Sequence, residues 1–231
     1  HRLSDRRGGN LISGNGNDGI AIDGGVSGVT IQGNFIGPDV SGTAALQNWT
    51  GLSIGGSNVL VGGTTAGARN VISGNVSGNI GINPGATGVT IQGNHIGVNA
   101  AGTAAIAMSS GIGIRVFSSG GTIGGTTAAA RTVISGNYRG IPLEGTATGN
   151  VVQGNYIGTN AAGTAAVPNV EEGIAVYSPG NTIGGTVAGA GNLISGHTAG
   201  YGVWILHPSA TGNKVQGNLI GTRADGVTPL P

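Results

Sequence analysis

The chain has 231 residues, 51 of them glycine, with 7% charged and 3% aromatic side chains and a net charge of +1. Its basic residues cluster only at Arg2, Arg6 and Arg7, too little for a nucleic-acid footprint. There is no cysteine for a disulfide or thiolate metal site, and no apolar stretch long enough to insert in a membrane. Glycine this abundant is usual in collagen or disordered chains. Here there is no G-X-Y triplet, the charge is low, and Ile and Val recur at regular places.

Four copies of one unit fill the chain. They start at Asn10-Leu11-Ile12-Ser13-Gly14-Asn15, Asn70-Val71-Ile72-Ser73-Gly74-Asn75, Thr132-Val133-Ile134-Ser135-Gly136-Asn137 and Asn192-Leu193-Ile194-Ser195-Gly196-His197, at spacings of 60, 62 and 60. A second phrase keeps the same beat, from Thr30-Ile31-Gln32-Gly33-Asn34 to Lys214-Val215-Gln216-Gly217-Asn218. A fixed period of this kind marks a solenoid, a propeller or an array.

Helix is disfavoured, because Gly and β-branched residues are poor helix formers and no apolar stripe repeats at 3.6. Short strands fit instead: Gly19-Ile20-Ala21-Ile22, Asn79-Ile80-Gly81-Ile82, Gly111-Ile112-Gly113-Ile114, Gly140-Ile141-Pro142-Leu143, Gly173-Ile174-Ala175-Val176 and Gly202-Val203-Trp204-Ile205. Most alternate an apolar residue with a small one, as a strand with one buried face does. Each unit holds six such strands, or two coils of about 30 residues with three strands apiece. Seven to eight stacked coils make an all-β parallel β-helix, a single domain over 1–231 with repeats at 10–69, 70–131, 132–191 and an incomplete 192–231.

This register predicts one interior column of Ile31, Val61, Ile91, Ile123, Val152, Ile183 and Val215. A second holds Ile12, Ile36, Ile72, Ile96, Ile134, Ile157, Ile194 and Ile220. It also predicts a structural ladder of Asn10, Asn34, Asn70, Asn94, Asn155, Asn192 and Asn218 at one bend, with Thr132 the lone departure. Asn tolerates turn dihedrals, and its amide can bond both the backbone and the Asn stacked on it. The segments from Gly97 to Ala105 and from Gly158 to Ala166, and the shorter ones from Gly62 and Gly124, read as compact loops covering the flank.

The N-x-I-x-G-N phrases, the G-I-x-I strands and the loop from Ile157 to Ala166 resemble the bacterial right-handed parallel β-helix repeat family, within the pectate-lyase-like superfamily. The likeness covers residues 10 to 223. It implies a right-handed coil and a secreted or cell-surface location. On activity it implies little, since such folds serve lyases, glycosidases, epimerases and non-catalytic stretches of large surface proteins. Neither end carries a polar cap, so the expectation is a stretch of a longer array, with end-to-end stacking through uncapped coils.

Function must lie where the copies differ. The outward residue after the third strand is expected to run Asp23, Gly55, Asn83, Arg115, Glu144, Tyr177, Leu206 from coil to coil. Beside it would run Ala21, Ser53, Gly81, Gly113, Pro142, Ala175, Trp204. Arg115, Glu144, Tyr177, Trp204 and Asn83 thereby form a candidate glycan-contact face, where aromatics stack on sugars and Arg pairs with a uronate. Catalytic residues are not assigned. Arg115 lacks the acidic Ca²⁺ ligands of a lyase, and Glu171 and Glu172 are expected to point to opposite faces of an extended strand. Gly14 to Asp18 matches part of a Ca²⁺ nonapeptide repeat, but the segments at Asn75 and Asn137 lack the Asp. His95, His197 and His207 share no metal-like spacing and are expected at the surface. No metal or cofactor is expected. The sequence therefore favours a non-catalytic structural or adhesive solenoid that contacts polysaccharide, with a polysaccharide-active enzyme as the alternative.

Overall fold

A computed structural model describes residues 9–106, 111–197 and 199–231; the Arg2, Arg6 and Arg7 cluster lies outside them. The chain winds as a parallel β-solenoid of about seven turns, with three sheets of eight, seven and seven short strands. Among the described residues there is no α-helix, only a single 3₁₀ turn at Ala66–Ala68.

The first sheet begins Leu11–Ile12, Phe35–Ile36, Val71–Ile72, His95–Ile96 and ends at Leu219–Ile220. The second begins Ile20–Ile22, Thr50–Ile54, Gly78–Ile82, Ile112–Val116 and ends at Val203–Ile205. The third runs from Thr30–Ile31 to Lys214–Gln216. Every neighbouring pair is parallel, and in the third sheet Ile31, Val61, Ile91, Ile123, Val152, Ile183 and Val215 fall in line. In the first sheet the line is Ile12, Ile36, Ile72, Ile96, Ile134, Ile157, Ile194 and Ile220. With the inward residues of the second sheet these columns form one continuous apolar core, except at the last coil, where Val215 and Ile220 are exposed. Each fully buried Ile contributes about 1.5–3 kcal/mol of transfer free energy.

The corners are built from side-chain amides. Between the third and first sheets, Asn34 donates from its backbone N–H and its Nδ2 to Asn70 Oδ1, and Asn70 does the same to Asn94. Asn155, Asn192 and Asn218 repeat the pattern. A second ladder stands between the first and second sheets: Asn15 bonds Asn48, Asn48 bonds Asn75, and Asn137 bonds Asn169. The Asn79 side chain bridges Asn75 to Asn137 in that line. At the third corner Val59 and Val89 are buried in the early coils. Asn150, Asn181 and Asn213 take the equivalent place later, each oxygen accepting from the preceding coil.

The hairpins outside the solenoid core keep the 60-residue period. Every second strand of the first sheet is followed by a hairpin closed by one antiparallel bridge: Pro38 with Ala45, Val98 with Ala105, Thr159 with Ala166, Thr222 with Pro229. Successive hairpins bond directly, Ala100 N–H to Gly42 O, Ala161 to Gly102 and Ala224 to Gly163. Each hairpin spans two coils, about 9–10 Å at the strand spacing of a sheet. Beneath them His95 is buried at 3% exposure, and His197 sits at the top of the second amide ladder with Nδ1 3.4 Å from Asn169 O. Neither is the surface histidine its sequence context suggests. His95 shares a column with Phe35 and Tyr156, and His197 follows Asn169 at a corner.

Candidate functional site

The outer face of the second sheet carries the side chains that differ most between coils. Its register corrects the sequence expectation at one coil. Arg115 pairs with Gly81, and Val116 with Ile82 and Leu143. Arg115 therefore stands in the mid-strand column with Ala21, Ser53, Gly81, Pro142, Ala175 and Trp204. Phe117, not Arg115, follows the strand, level with Asn83 and Glu144. Arg115 still reaches the next coil, where its Nε donates to Glu144 Oε2 at 2.9 Å, and its guanidinium lies 5.4 Å from the Phe117 ring centre. Asn83 lies two coils away from Glu144 and bonds Ser53 Oγ.

A second cluster lies where the chain enters this sheet. Glu171 N–H donates to Tyr138 O, while Gly140 N–H donates to Glu172 O. Two residues, Glu171 and Glu172, thus oppose the single Arg139, which is a β-bulge. The bulge suspends the alternation of faces, so both carboxylates meet Arg139 Nε, Glu171 Oε2 at 2.6 Å and Glu172 Oε2 at 3.1 Å. The expectation that they point to opposite faces is overturned on this ground. Tyr138 Oη donates to Glu171 Oε1 at 2.5 Å, and Arg139 Nη1 donates to Tyr177 Oη at 3.1 Å.

Nε of arginine carries one hydrogen, and it goes to Glu171. Glu172 Oε2, its side chain 5% exposed, takes no hydrogen bond and holds only a Coulomb contact with Arg139. The hydrogen bonds from Tyr138 and Arg139 hold the Glu171 carboxyl below its usual range. The same contact with Glu171 raises the Tyr138 phenol. Burial works against the charge on Arg139, but Glu171, Glu172 and Tyr177 outweigh it and raise the guanidinium.

One coil further on, Tyr201 and Trp204 form a tilted aromatic pair with centroids 5.1 Å apart, and Tyr201 is 58% exposed. Glu144, Tyr177, His207 and Ser209 line a shallow open depression of about 390 Å³. Tyr138 and Arg139 are missing from the sequence-level face. Their signal was the alignment of Tyr138-Arg139-Gly140 with Glu171-Glu172-Gly173 just before an apolar strand.

Chemically, the arrangement is a shelf of ion pairs and aromatic faces. An ionised Glu171 tied to Arg139 and Tyr138 suits electrostatic contact and not proton donation. Among the described residues no three His, Asp or Glu side chains converge as metal ligands would. No family model, no curated protein and no solved structure matches the chain.

Proposed function

We propose that the protein is a non-catalytic, structural or adhesive β-solenoid segment whose second sheet contacts glycans. The observation that carries the reading is the pairing of exposed Tyr201 with half-buried Trp204, one coil from the Tyr138, Arg139, Glu171 and Tyr177 cluster, on a parallel sheet. Aromatic faces supply stacking area, and polar groups at a spacing of about 4.8 Å give repeating contacts along a chain-like ligand. The likeness of the N-x-I-x-G-N phrases to bacterial β-helix repeats supports a right-handed coil and a secreted or cell-surface setting. Each strand and its parallel neighbour are joined by a crossover, a connection right-handed in about 98% of sheets.

The alternative is a polysaccharide-active enzyme using Glu171 and Glu172, now favoured by one observation, their convergence on Arg139. Against it, Glu171 is held ionised and Glu172 is buried beneath the face. Neither is presented as the proton donor that glycoside cleavage requires.

The test is native electrophoresis through gels of neutral, acidic and amine-bearing polysaccharides, with parallel assays for new reducing ends and unsaturated products. Retardation by a polymer, relieved by Trp204→Ala, without cleavage is the expected result. Cleavage abolished by Glu171→Gln would make the protein an enzyme. No retardation by any polymer would remove glycan contact.

A further inference from the structure

The charges of this protein are unevenly placed. Of its eight acidic residues, five border the second sheet: Asp18, Asp23, Glu144, Glu171 and Glu172. Among the described residues only Arg115 and Arg139 oppose them there, and both guanidiniums are already engaged by Glu144 and by the Glu171–Glu172 pair. Arg69, Arg131 and Lys214 lie instead on the short loops and the third sheet. Among the described residues, the second face therefore carries more carboxylates than guanidiniums, on a chain whose net charge is +1.

Among the described residues a uronate finds no unengaged arginine or lysine on this face, and near the aromatic pair it meets three glutamates against two arginines. An amine meets the opposite. Glu171 is a partly exposed, ionised acceptor, while buried Glu172 has an oxygen without a hydrogen-bond partner, 3.1 Å from Arg139 Nε. Tyr138 and Tyr201 expose ring surface beside them, and aromatic faces attract cations as well as stacking on sugars. The Tyr201 and Trp204 rings lie 5.1 Å apart and so make one stacking platform.

We propose that the ligand of this face is an amino-sugar polymer with free ammonium groups, Glu171 receiving an ammonium and Tyr201 with Trp204 stacking on a neighbouring ring. This rests on the glycan-contact reading and names its substrate class. The charge term makes binding weaken as salt rises, since exposed charges are screened over about 8–10 Å at physiological ionic strength.

Titration calorimetry with glucosamine oligomers, their N-acetylated counterparts and uronate oligomers tests the proposal. The free-amine oligomer is expected to bind, the acetylated one at least about tenfold more weakly, a difference of about 1.4 kcal/mol, and the uronate not at all. Glu171→Gln weakens amine binding about tenfold while leaving the unfolding transition in place, and Trp204→Ala also weakens it. Equal binding of acetylated and free-amine oligomers, or preference for uronate, still sensitive to Trp204→Ala, would overturn the amine and leave the glycan face. Binding of no oligomer, or binding indifferent to both substitutions, would overturn both.

Discussion

Asn70 gives two hydrogen bonds to the one Oδ1 of Asn94, from its backbone N–H at 3.1 Å and from its side-chain amide at 2.9 Å. Asn94 Nδ2 in turn closes on Val61 O at 2.9 Å. Both residues are buried, so each bond lost leaves a donor or acceptor without water. Asn94→Leu is expected to destabilise the protein by several kcal/mol, at about 1–3 kcal/mol per stranded group. Urea unfolding of the two proteins gives the difference.

Thr132 interrupts this ladder. Its Oγ1 accepts from Asn94 N–H only at 3.4 Å, and Asn94 Nδ2 has no partner on it. Thr132→Asn restores the stacked amide and is expected to stabilise by about 1 kcal/mol, the net worth of one added bond. A lower denaturant midpoint for this variant would show that the corner cannot take the larger side chain.

Gly97 and Gly24 make a matched pair. Gly97 has φ +82°, and a Cβ there would stand 2.2 Å from Ser135 O, whereas a Cβ on Gly24 meets nothing within 4 Å. Gly97→Ala combines left-handed strain with a clash against backbone on the next coil, and is expected to cost more than about 2 kcal/mol. Gly24→Ala is expected to stay within about 0.5 kcal/mol, as at a surface site. Thermal melts separate the two outcomes.

The columns through Ile36 and Ile31 were legible because inward residues recur with period 2 inside a long repeat. Arg115 was misplaced for a reason that same rule contains. Gly111-Ile112-Gly113-Ile114 and Gly113-Ile114-Arg115-Val116 both satisfy apolar alternation, and a slip of two residues leaves every side chain on its own face. Only strand pairing distinguishes the frames. Glu171 and Glu172 share one partner because a bulge breaks the alternation that an extended strand imposes, and nothing in their sequence marks the bulge. The deep burial of His95 was implied by its column with Phe35 and Tyr156, against the usual surface habit of a polar ring.

His95 makes stability depend on pH. Burial first, and then the charge of Arg69, push its imidazole down to about 4, with Nδ1 buried and unpartnered. The unfolded chain, near 6.5, binds the proton first. Stability is therefore full above about pH 6.5, falls as pH drops towards 4, and levels below that. One pKa unit is about 1.4 kcal/mol, so the loss is on the order of 3 kcal/mol. His197 shifts in the same direction, again chiefly through burial. His95→Phe places the ring that Phe35 already supplies in this column, and is expected to flatten much of the slope in unfolding measured from pH 7 to 4. An unchanged slope would remove His95 from the account.

Two arginines on one sheet should behave differently. Arg115 pairs with Glu144 at the surface, its side chain 47% exposed, and such pairs are worth about 0–1 kcal/mol. Arg139 sits against a carboxylate that the fold has buried, and removing it strands Glu172 without a counter-charge. Arg115→Ala is expected to change stability by less than about 1 kcal/mol, and Arg139→Leu to cost about 3 kcal/mol. The diagnostic is the double variant. Arg139→Leu with Glu172→Leu removes the stranded charge along with its partner, so it recovers most of the loss, because replacing a buried pair by apolar groups is often neutral. If the double variant is as unstable as Arg139→Leu alone, the arginine contributes through packing over the bulge and not through its charge.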